Sequence, residues 1–175
     1  MSPRANAHGV ILDAAEAVVA EEGAAHLTLD AVATKAGVSR GGLLYHFPNK
    51  EALLKGMLDR FIARAKERRM RIREGLVESK GRETTAHVLS ALEHDDASMR
   101  AASAALLAMG AQRPGLMAPA KKEYRKLMED IARDGLAFER AAVIALATDG
   151  LRLAELLSIS PFDEGERRRI VEEII

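Results

Sequence analysis

Cysteine and tryptophan are absent from the 175 residues of the sequence, and only six residues are Phe or Tyr. Without cysteine, the chain can form neither a disulfide nor a thiolate metal site. Neither sign of charge dominates, because 26 Lys and Arg balance 26 Asp and Glu. Hydrophobic residues make up 48% of the chain, which is typical of a folded protein rather than a disordered tail. The length predicts one compact domain, or a small module joined to a larger one.

Long apolar runs are absent as well. Residues 1–9 contain no continuous apolar segment, so no signal peptide is expected. The most apolar stretch, residues 141–159, includes Asp149, Arg152 and Glu155, which a helix crossing a bilayer does not readily accommodate. We therefore expect a cytoplasmic protein without a membrane segment.

Motifs of catalysis are also missing. The sequence has no nucleophile motif, no phosphate-binding loop and no histidines at ligand spacing. His94, Asp95 and Asp96 stand together, but three adjacent residues on a helix cannot all point at one metal ion. We therefore predict no enzyme activity, no cofactor and no metal site.

Helical periodicity is what the sequence does contain. Ala, Leu, Glu, Lys and Arg dominate, apolar residues recur at helical spacing, and no stretch alternates apolar with polar residues. The predicted fold class is all-α. Glycine, proline and capping residues predict helices over about 5–22, 83–94, 96–109, 114–134, 139–158 and 163–175, and a long helix from Asn49 towards Gly81.

Residues 28–47 show a different pattern, with two much shorter helices separated by a glycine. Thr28 and Ser39 are candidate N-caps, and Gly37 can adopt the positive φ that a tight turn requires. Val38 follows as the apolar residue that fills the gap between the two helices. This pattern predicts a helix-turn-helix, whose second helix presents its N-terminal end to the major groove of DNA.

Arg40, in the first turn of the second helix, is the candidate for reading a base, because its guanidinium can bridge O6 and N7 of guanine. Gly41 and Gly42 would allow close approach to the DNA backbone, and Tyr45, His46 and Lys50 can hold flanking phosphates. A solvated surface is the alternative. The predicted DNA-binding residues are Thr28, Ser39, Arg40, Gly41, Gly42, Leu44, Tyr45, His46 and Lys50.

The run from Ala33 to Leu53 contains Ala-Gly-Val-Ser, Tyr-His-Phe-Pro and Lys-Glu-Ala-Leu in one register. It closely resembles the N-terminal DNA-binding domain of TetR-family (TetR/AcrR-like) transcriptional regulators, over residues 5–58. The resemblance implies a three-helix DNA-binding domain at residues 1–50, followed by a larger helical domain at residues 51–175. The second domain would dimerise and bind a small-molecule effector.

Two features depart from the family pattern. Many members carry an aromatic residue where this chain has Leu44. Residues 1–50 also carry only four basic side chains against five acidic ones, whereas a DNA-binding module is usually more basic. The alternative that these departures favour is a helical ligand-binding or protein-interaction module without specific DNA binding.

The second domain carries three further candidate surfaces. Residues 60–73 are strongly basic, but Arg69 lies about 28 Å along the helix from Lys50, so we expect a solvated face rather than a second DNA contact. The candidate effector-binding residues, for which ordinary core packing is the alternative, are Leu106, Met109, Met117 and Met128. The helix over residues 139–158 is apolar on most of its circumference and must be buried on two sides, either centrally or against a second copy. The candidate dimer contacts are Ala147, Leu151, Ala154, Ile170 and Ile174.

Together these patterns predict a homodimeric transcriptional repressor that binds a pseudo-palindromic DNA operator and is released by a small-molecule effector.

Substitutions at Arg40 and Lys50 should separate base reading from phosphate binding. We expect Arg40→Ala to relax base preference, because a bidentate guanine contact contributes about 1–3 kcal/mol of discrimination. Lys50→Ala should weaken binding to all sequences alike and flatten the salt dependence by about one unit. Titrations of specific and random duplexes over a range of salt measure both effects, and an equal loss on both duplexes for Arg40→Ala would assign it to phosphate.

Overall fold

The structure is a computed structural model that describes residues 3–93 and 97–175, apart from the side chains of residues 3–6, 97, 98 and 101. The described residues form nine α-helices and no strand, which confirms the predicted all-α fold. In this part of the chain no helix has the length and apolar composition that crossing a bilayer requires. The helices are α1 (Pro3–Glu22), α2 (Leu29–Ala36), α3 (Arg40–His46), α4 (Lys50–Gly75), α5 (Arg82–Leu92), α6 (Ala97–Gln112), α7 (Ala118–Arg133), α8 (Phe138–Leu156) and α9 (Glu164–Ile174).

The helix predicted over residues 114–134 begins differently from the prediction. Pro114–Met117 forms a 3₁₀ turn, and α7 starts only at Ala118. Pro119 has no N–H to donate to the carbonyl of Gly115, and Gly115 has low helix propensity, so this segment does not join the α-helix. A second 3₁₀ turn, Ala24–His26, follows α1 where the sequence predicted only its end.

The predicted caps of the short helices are confirmed. Thr28 Oγ1 accepts a hydrogen bond from the N–H of Ala31 at 3.1 Å, and Ser39 Oγ accepts one from Gly42 at 3.0 Å. Gly37 closes α2 with φ of 65°, in the left-handed region that favours glycine. These local interactions fix where α2 ends and where α3 begins.

The described residues pack into two compact units. The first contains residues up to Phe61 together with residues 97–119, and the second contains residues 62–93 and 120–175. The start of α4 therefore belongs to the same compact unit as α1, α2, α3 and α6. The functional boundary expected after residue 50 stays a prediction.

The core of the first unit combines apolar residues with a partly buried ion-pair network. Leu43 of α3 and Leu53 of α4 are fully buried. Beside this core, Nη2 of Arg60 donates at 2.6 Å to the carboxylates of both Asp13 and Glu16, and the Glu16 side chain is only 2% exposed. Burial opposes the charge on Arg60, but the hydrogen bonds to the two carboxylates raise its pKa above the ordinary value. Arg60 thus ties α4 to α1.

The core of the second unit is built from α5, α7, α8 and α9. One apolar cluster contains Val88, Leu92, Ile144 and Leu151, with Leu136, Ile170, Val171 and Ile174 packed against it. Another contains Leu127, Met128, Ile131, Ala141 and Ala145. Arg167 of α9 is held by Glu155 of α8 at 2.6 Å, and it also donates to the carbonyl of Leu92 at 2.7 Å.

The expectation that residues 60–73 form a solvated basic face is wrong. The side chains of Arg60, Arg68 and Arg69 are only 16–17% exposed. Within the second unit, Arg68 and Arg71 pair with Glu93, Arg69 lies 4.0 Å from Asp130, and Arg73 pairs with Glu83. The sequence of this helix indicated surplus charge because the acidic partners of its arginines lie in other parts of the chain.

Removing the charge of Arg60 should destabilise the protein strongly. We expect Arg60→Met to lower the free energy of unfolding by about 3–5 kcal/mol, because the buried carboxylate of Glu16 then loses the guanidinium that pairs with it. The exposed pair of Lys35 with Glu21 provides the control, and Lys35→Met should cost less than about 1 kcal/mol. Urea unfolding measures both changes. Similar losses for the two variants would show that the Arg60 network contributes no more than a surface pair.

Candidate nucleic-acid interface

The second helix of the predicted motif, α3, stands largely exposed at its N-terminal end. Ser39, Arg40, Gly41 and Gly42 are all exposed, whereas Leu43 is fully buried beneath them. Since α3 is anchored by Leu43 and Phe47 on one side, its opposite side is left open to solvent. That geometry is the one in which a helix-turn-helix enters a major groove.

The nine predicted DNA-binding residues lie within one continuous stretch of the first unit, from the start of α2 to the start of α4. Tyr45 is 75% exposed, and Lys50 is exposed at the first turn of α4. Thr28 is exposed but uses its hydroxyl as the cap of α2. Leu44 and His46 are half-buried. Contact of these residues with DNA stays a prediction.

Arg40 has a partner that the sequence did not suggest. Its Nη1 donates to both carboxylate oxygens of Asp30, at 2.5 and 2.7 Å. Both side chains are well exposed, at 63% for Arg40 and 68% for Asp30. Asp30 lies in the first turn of α2, ten residues before Arg40. Only the crossing of α2 over α3 brings the two side chains together.

His8 also lies beside the candidate interface. Its ring centroid is 4.7 Å from that of Phe47 and 6.2 Å from that of His46, while the ring of Tyr45 lies edge-on to His46 at 5.2 Å. The aromatic side chains at the end of α3 are therefore supported by α1. The sequence gives no sign of this contact, because His8 falls on a helix 38 residues away from His46.

Four of the five acidic side chains of residues 1–50 form ion pairs within the first unit. Glu21 accepts from Nζ of Lys35 at 2.6 and 2.7 Å, and Asp30 holds Arg40. Asp13 and Glu16 share Arg60, which lies outside residues 1–50. These acidic side chains are therefore largely offset by nearby cations, although residues 1–50 keep one more acidic than basic side chain.

The candidate dimer residues come together in the second unit. Ala147, Leu151 and Ala154 of α8 and Ile170 and Ile174 of α9 all line one open groove of about 380 Å³. The candidate effector-binding residues do not share a unit. Leu106, Met109 and Met117 belong to the first, and Met128 lies in an apolar cluster of the second. Both assignments stay predictions.

A polar cluster in the second unit was not anticipated. The hydroxyl of Tyr124 donates to Asp149 at 2.8 Å, and burial beside this carboxylate raises the pKa of Tyr124. Burial lowers the pKa of His87. Thr84 Oγ1 and His87 Nε2 are buried and have no hydrogen-bond partner within the described ranges.

No group of three acidic or histidine side chains in the described ranges is arranged to hold a metal ion. His94, Asp95 and Asp96, considered above, lie outside the residues that the structure describes.

The fold and the exposed α3 define a helix-turn-helix regulator with a second, helical unit. Residues 11–57 match the model of the bacterial regulatory proteins of the tetR family, and residues 81–175 match the tetracyclin repressor-like C-terminal domain. The chain belongs to the TetR family of transcriptional regulators, as the resemblance implied. This family consists of DNA-binding regulators and not of enzymes.

Solved structures share the fold over nearly the whole chain. A protein from Rhodococcus sp. assigned to the TetR family is 24% identical, with 97% of each chain covered and a TM-score of 0.77. A TetR-family member from Streptomyces coelicolor A3 is 23% identical, with 99% of each chain covered and a TM-score of 0.70. The multidrug binding protein EbrR, in complex with ethidium, is 24% identical, with 97% of this chain and 98% of EbrR covered and a TM-score of 0.67. No curated protein sequence matches the chain significantly.

Gly41 offers a test of close approach to DNA. A Cβ built at Gly41 meets nothing within 4 Å, so Gly41→Ala should raise the free energy of unfolding by up to about 1 kcal/mol. If the backbone of α3 packs against DNA, the same methyl group should weaken DNA binding. Gly75→Ala, also helical and open, is the matched control and should leave binding unchanged. Thermal unfolding and duplex titration check both, and unaltered affinity for Gly41→Ala would contradict the close approach.

Proposed function

We propose that this protein is a homodimeric repressor that binds a pseudo-palindromic operator through α3 and leaves it when a small molecule binds the second unit. The observation that carries the proposal is the exposed N-terminal end of α3, with Arg40 in its first turn, in a chain of the TetR family. Membership of the TetR family supports DNA binding and regulation. Repression, and release of the operator by an effector, are proposed in addition.

The proposed reading of DNA follows from the geometry of α3. Arg40 would bridge O6 and N7 of a guanine, and Lys50 and Tyr45 would hold phosphates on either side. Leu44 is half-buried where many family members have an aromatic residue, and its exposed part can contact a thymine methyl group. The proposed base contacts thus come from the exposed side of α3.

Dimerisation is proposed from α8 and α9. Val143 and Leu146 on α8 are 65% and 66% exposed, whereas Thr148 of the same helix is completely buried and donates to the carbonyl of Ile144. The helix therefore turns apolar side chains outwards and keeps a polar one inside. Burying a large aliphatic side chain contributes about 1.5–3 kcal/mol, so a second copy of this face is the favoured occupant.

A dimer would also set the geometry of DNA binding. Two recognition helices must lie about 34–36 Å apart, or a multiple of that distance, to enter major grooves on one side of the duplex. A two-fold axis through the α8 and α9 face would make the operator a pseudo-palindrome.

Two buried polar atoms without hydrogen-bond partners in the described residues support an effector site in the second unit. A buried polar group without a partner costs about 1–3 kcal/mol, and a ligand that hydrogen-bonds Thr84 and His87 would recover this energy. Six aromatic residues in the whole chain favour an aliphatic or amphipathic ligand over a stacked one. EbrR, which shares the fold, is a multidrug binding protein solved with ethidium. We propose that ligand binding displaces α4, the continuous helix that begins four residues after α3 ends.

Selection of DNA fragments by the purified protein tests the proposed function. Genomic fragments retained at moderate salt should be enriched in one palindrome with half-sites a whole number of helical turns apart. Compounds can then be screened for release of that duplex. The absence of any enriched sequence, from protein shown to be folded, would instead favour the ligand-binding or protein-interaction module.

A charge placed in the groove of α8 and α9 should separate the protomers. We expect Ala147→Glu to shift the protein from dimer to monomer in sedimentation velocity, because two carboxylates would meet across the two-fold axis. The variant should also lose affinity for the palindrome by at least tenfold. Ala104→Glu, at an exposed position on α6, is the matched control and should stay dimeric. A dimeric Ala147→Glu variant would place the interface elsewhere, and a wild-type monomer would contradict the proposed dimerisation.

A further inference from the structure

We propose that Asp30 determines the sequence specificity of DNA binding by positioning Arg40 and by repelling DNA that lacks the matching base. The proposal rests on the proposed function, since it assumes that α3 enters the major groove. Asp30 would act through Arg40 and through its own charge, without reading a base itself.

The positions of both side chains are fixed by local structure. Asp30 lies in the first turn of α2, which is capped by Thr28, and Arg40 lies in the first turn of α3, which is capped by Ser39. Both oxygens of the Asp30 carboxylate accept from Nη1 of Arg40, at 2.5 and 2.7 Å. Because the pair uses Nη1, the Nε and Nη2 edge of the guanidinium remains available as two parallel donors for O6 and N7 of guanine.

This pairing reduces the cost of binding DNA. A free arginine side chain samples many rotamers, and ordering it at an interface costs conformational entropy. Arg40 is held on the surface, 63% exposed, before DNA arrives. A guanidinium that is already oriented loses less entropy when it binds a correctly placed guanine, and it adapts less readily to another base.

The charge of Asp30 acts in the same direction. Its carboxylate is 68% exposed at the tip of the proposed interface, where any bound duplex brings phosphates close. In a complex where Arg40 leaves Asp30 to reach a phosphate, the carboxylate faces the DNA without its partner, whereas in the operator complex it stays paired with Arg40. Asp30 would therefore lower affinity for random DNA more than affinity for the operator.

The test compares two substitutions that each remove one negative charge from the first unit. Asp30→Asn removes the partner of Arg40, and Glu21→Gln removes the partner of Lys35, which is held at 2.6 and 2.7 Å in a similar exposed pair. Each variant is titrated with the duplex selected by the wild-type protein, with copies changed at single base pairs, and with a random duplex. Circular dichroism confirms that the variants are folded.

We expect Asp30→Asn to bind the random duplex more tightly and to lose about tenfold in discrimination at the base pair that Arg40→Ala identifies. Glu21→Gln should leave the discrimination unchanged. In an Arg40→Ala background, Asp30→Asn should no longer alter the preference at that base pair.

Two results would overturn the inference while leaving the proposed function intact. One is unchanged discrimination in Asp30→Asn when the wild-type protein does discriminate. The other is an equal loss of discrimination in Asp30→Asn and Glu21→Gln, which would reduce the effect to net charge. A wild-type protein without preference for any duplex would overturn the proposed function itself, and the role of Asp30 with it.

Discussion

The left-handed turn at Gly37 is the constraint on which the candidate interface depends. It ends α2 and lets the chain reverse, with the N–H of Val38 donating to the carbonyl of Ala33 at 3.1 Å before Ser39 caps α3. Helix α3 has seven residues, two of them glycine, and a helix of this length and composition is not stable alone. Its position comes from the turn, the cap and the burial of Leu43, and these interactions determine where Arg40 and Tyr45 point.

Ion pairs extend this positioning beyond the turn. The buried Glu16 requires a cation, and Arg60 supplies it from α4, so α1 and α4 are tied together behind the motif. On the open side, the acidic residues Glu21 and Asp30 each hold one of the few basic side chains of the motif. A module with little net charge therefore does not depend on strong general attraction to DNA. Under the proposed function, recognition of DNA depends on a few oriented side chains.

The features that the sequence predicted are those determined by neighbours along the chain. Helical periodicity, the caps Thr28 and Ser39 and the glycine turn depend on residues a few positions apart, and the structure confirms them. The pairs of Arg40 with Asp30, and of Arg60 with Glu16, require knowledge of how helices cross, 10 and 44 residues apart in the chain. The apolar circumference of α8 indicated burial on two sides, but it did not show which face the rest of the chain leaves open. Packing decides that face, and it exposes Val143 and Leu146 while enclosing Thr148.

The central claim is that two copies of α3 read the major groove at equivalent half-sites, and methylation interference on the selected duplex tests it most directly. Methyl groups at guanine N7 lie in the major groove and block a bidentate arginine contact. The account predicts two symmetry-related clusters of interfering guanines, centred about 34–36 Å apart or at a multiple of that spacing. It also predicts that one guanine in each cluster loses its effect in Arg40→Ala. A single cluster, or binding that is indifferent to N7 methylation, would contradict the account.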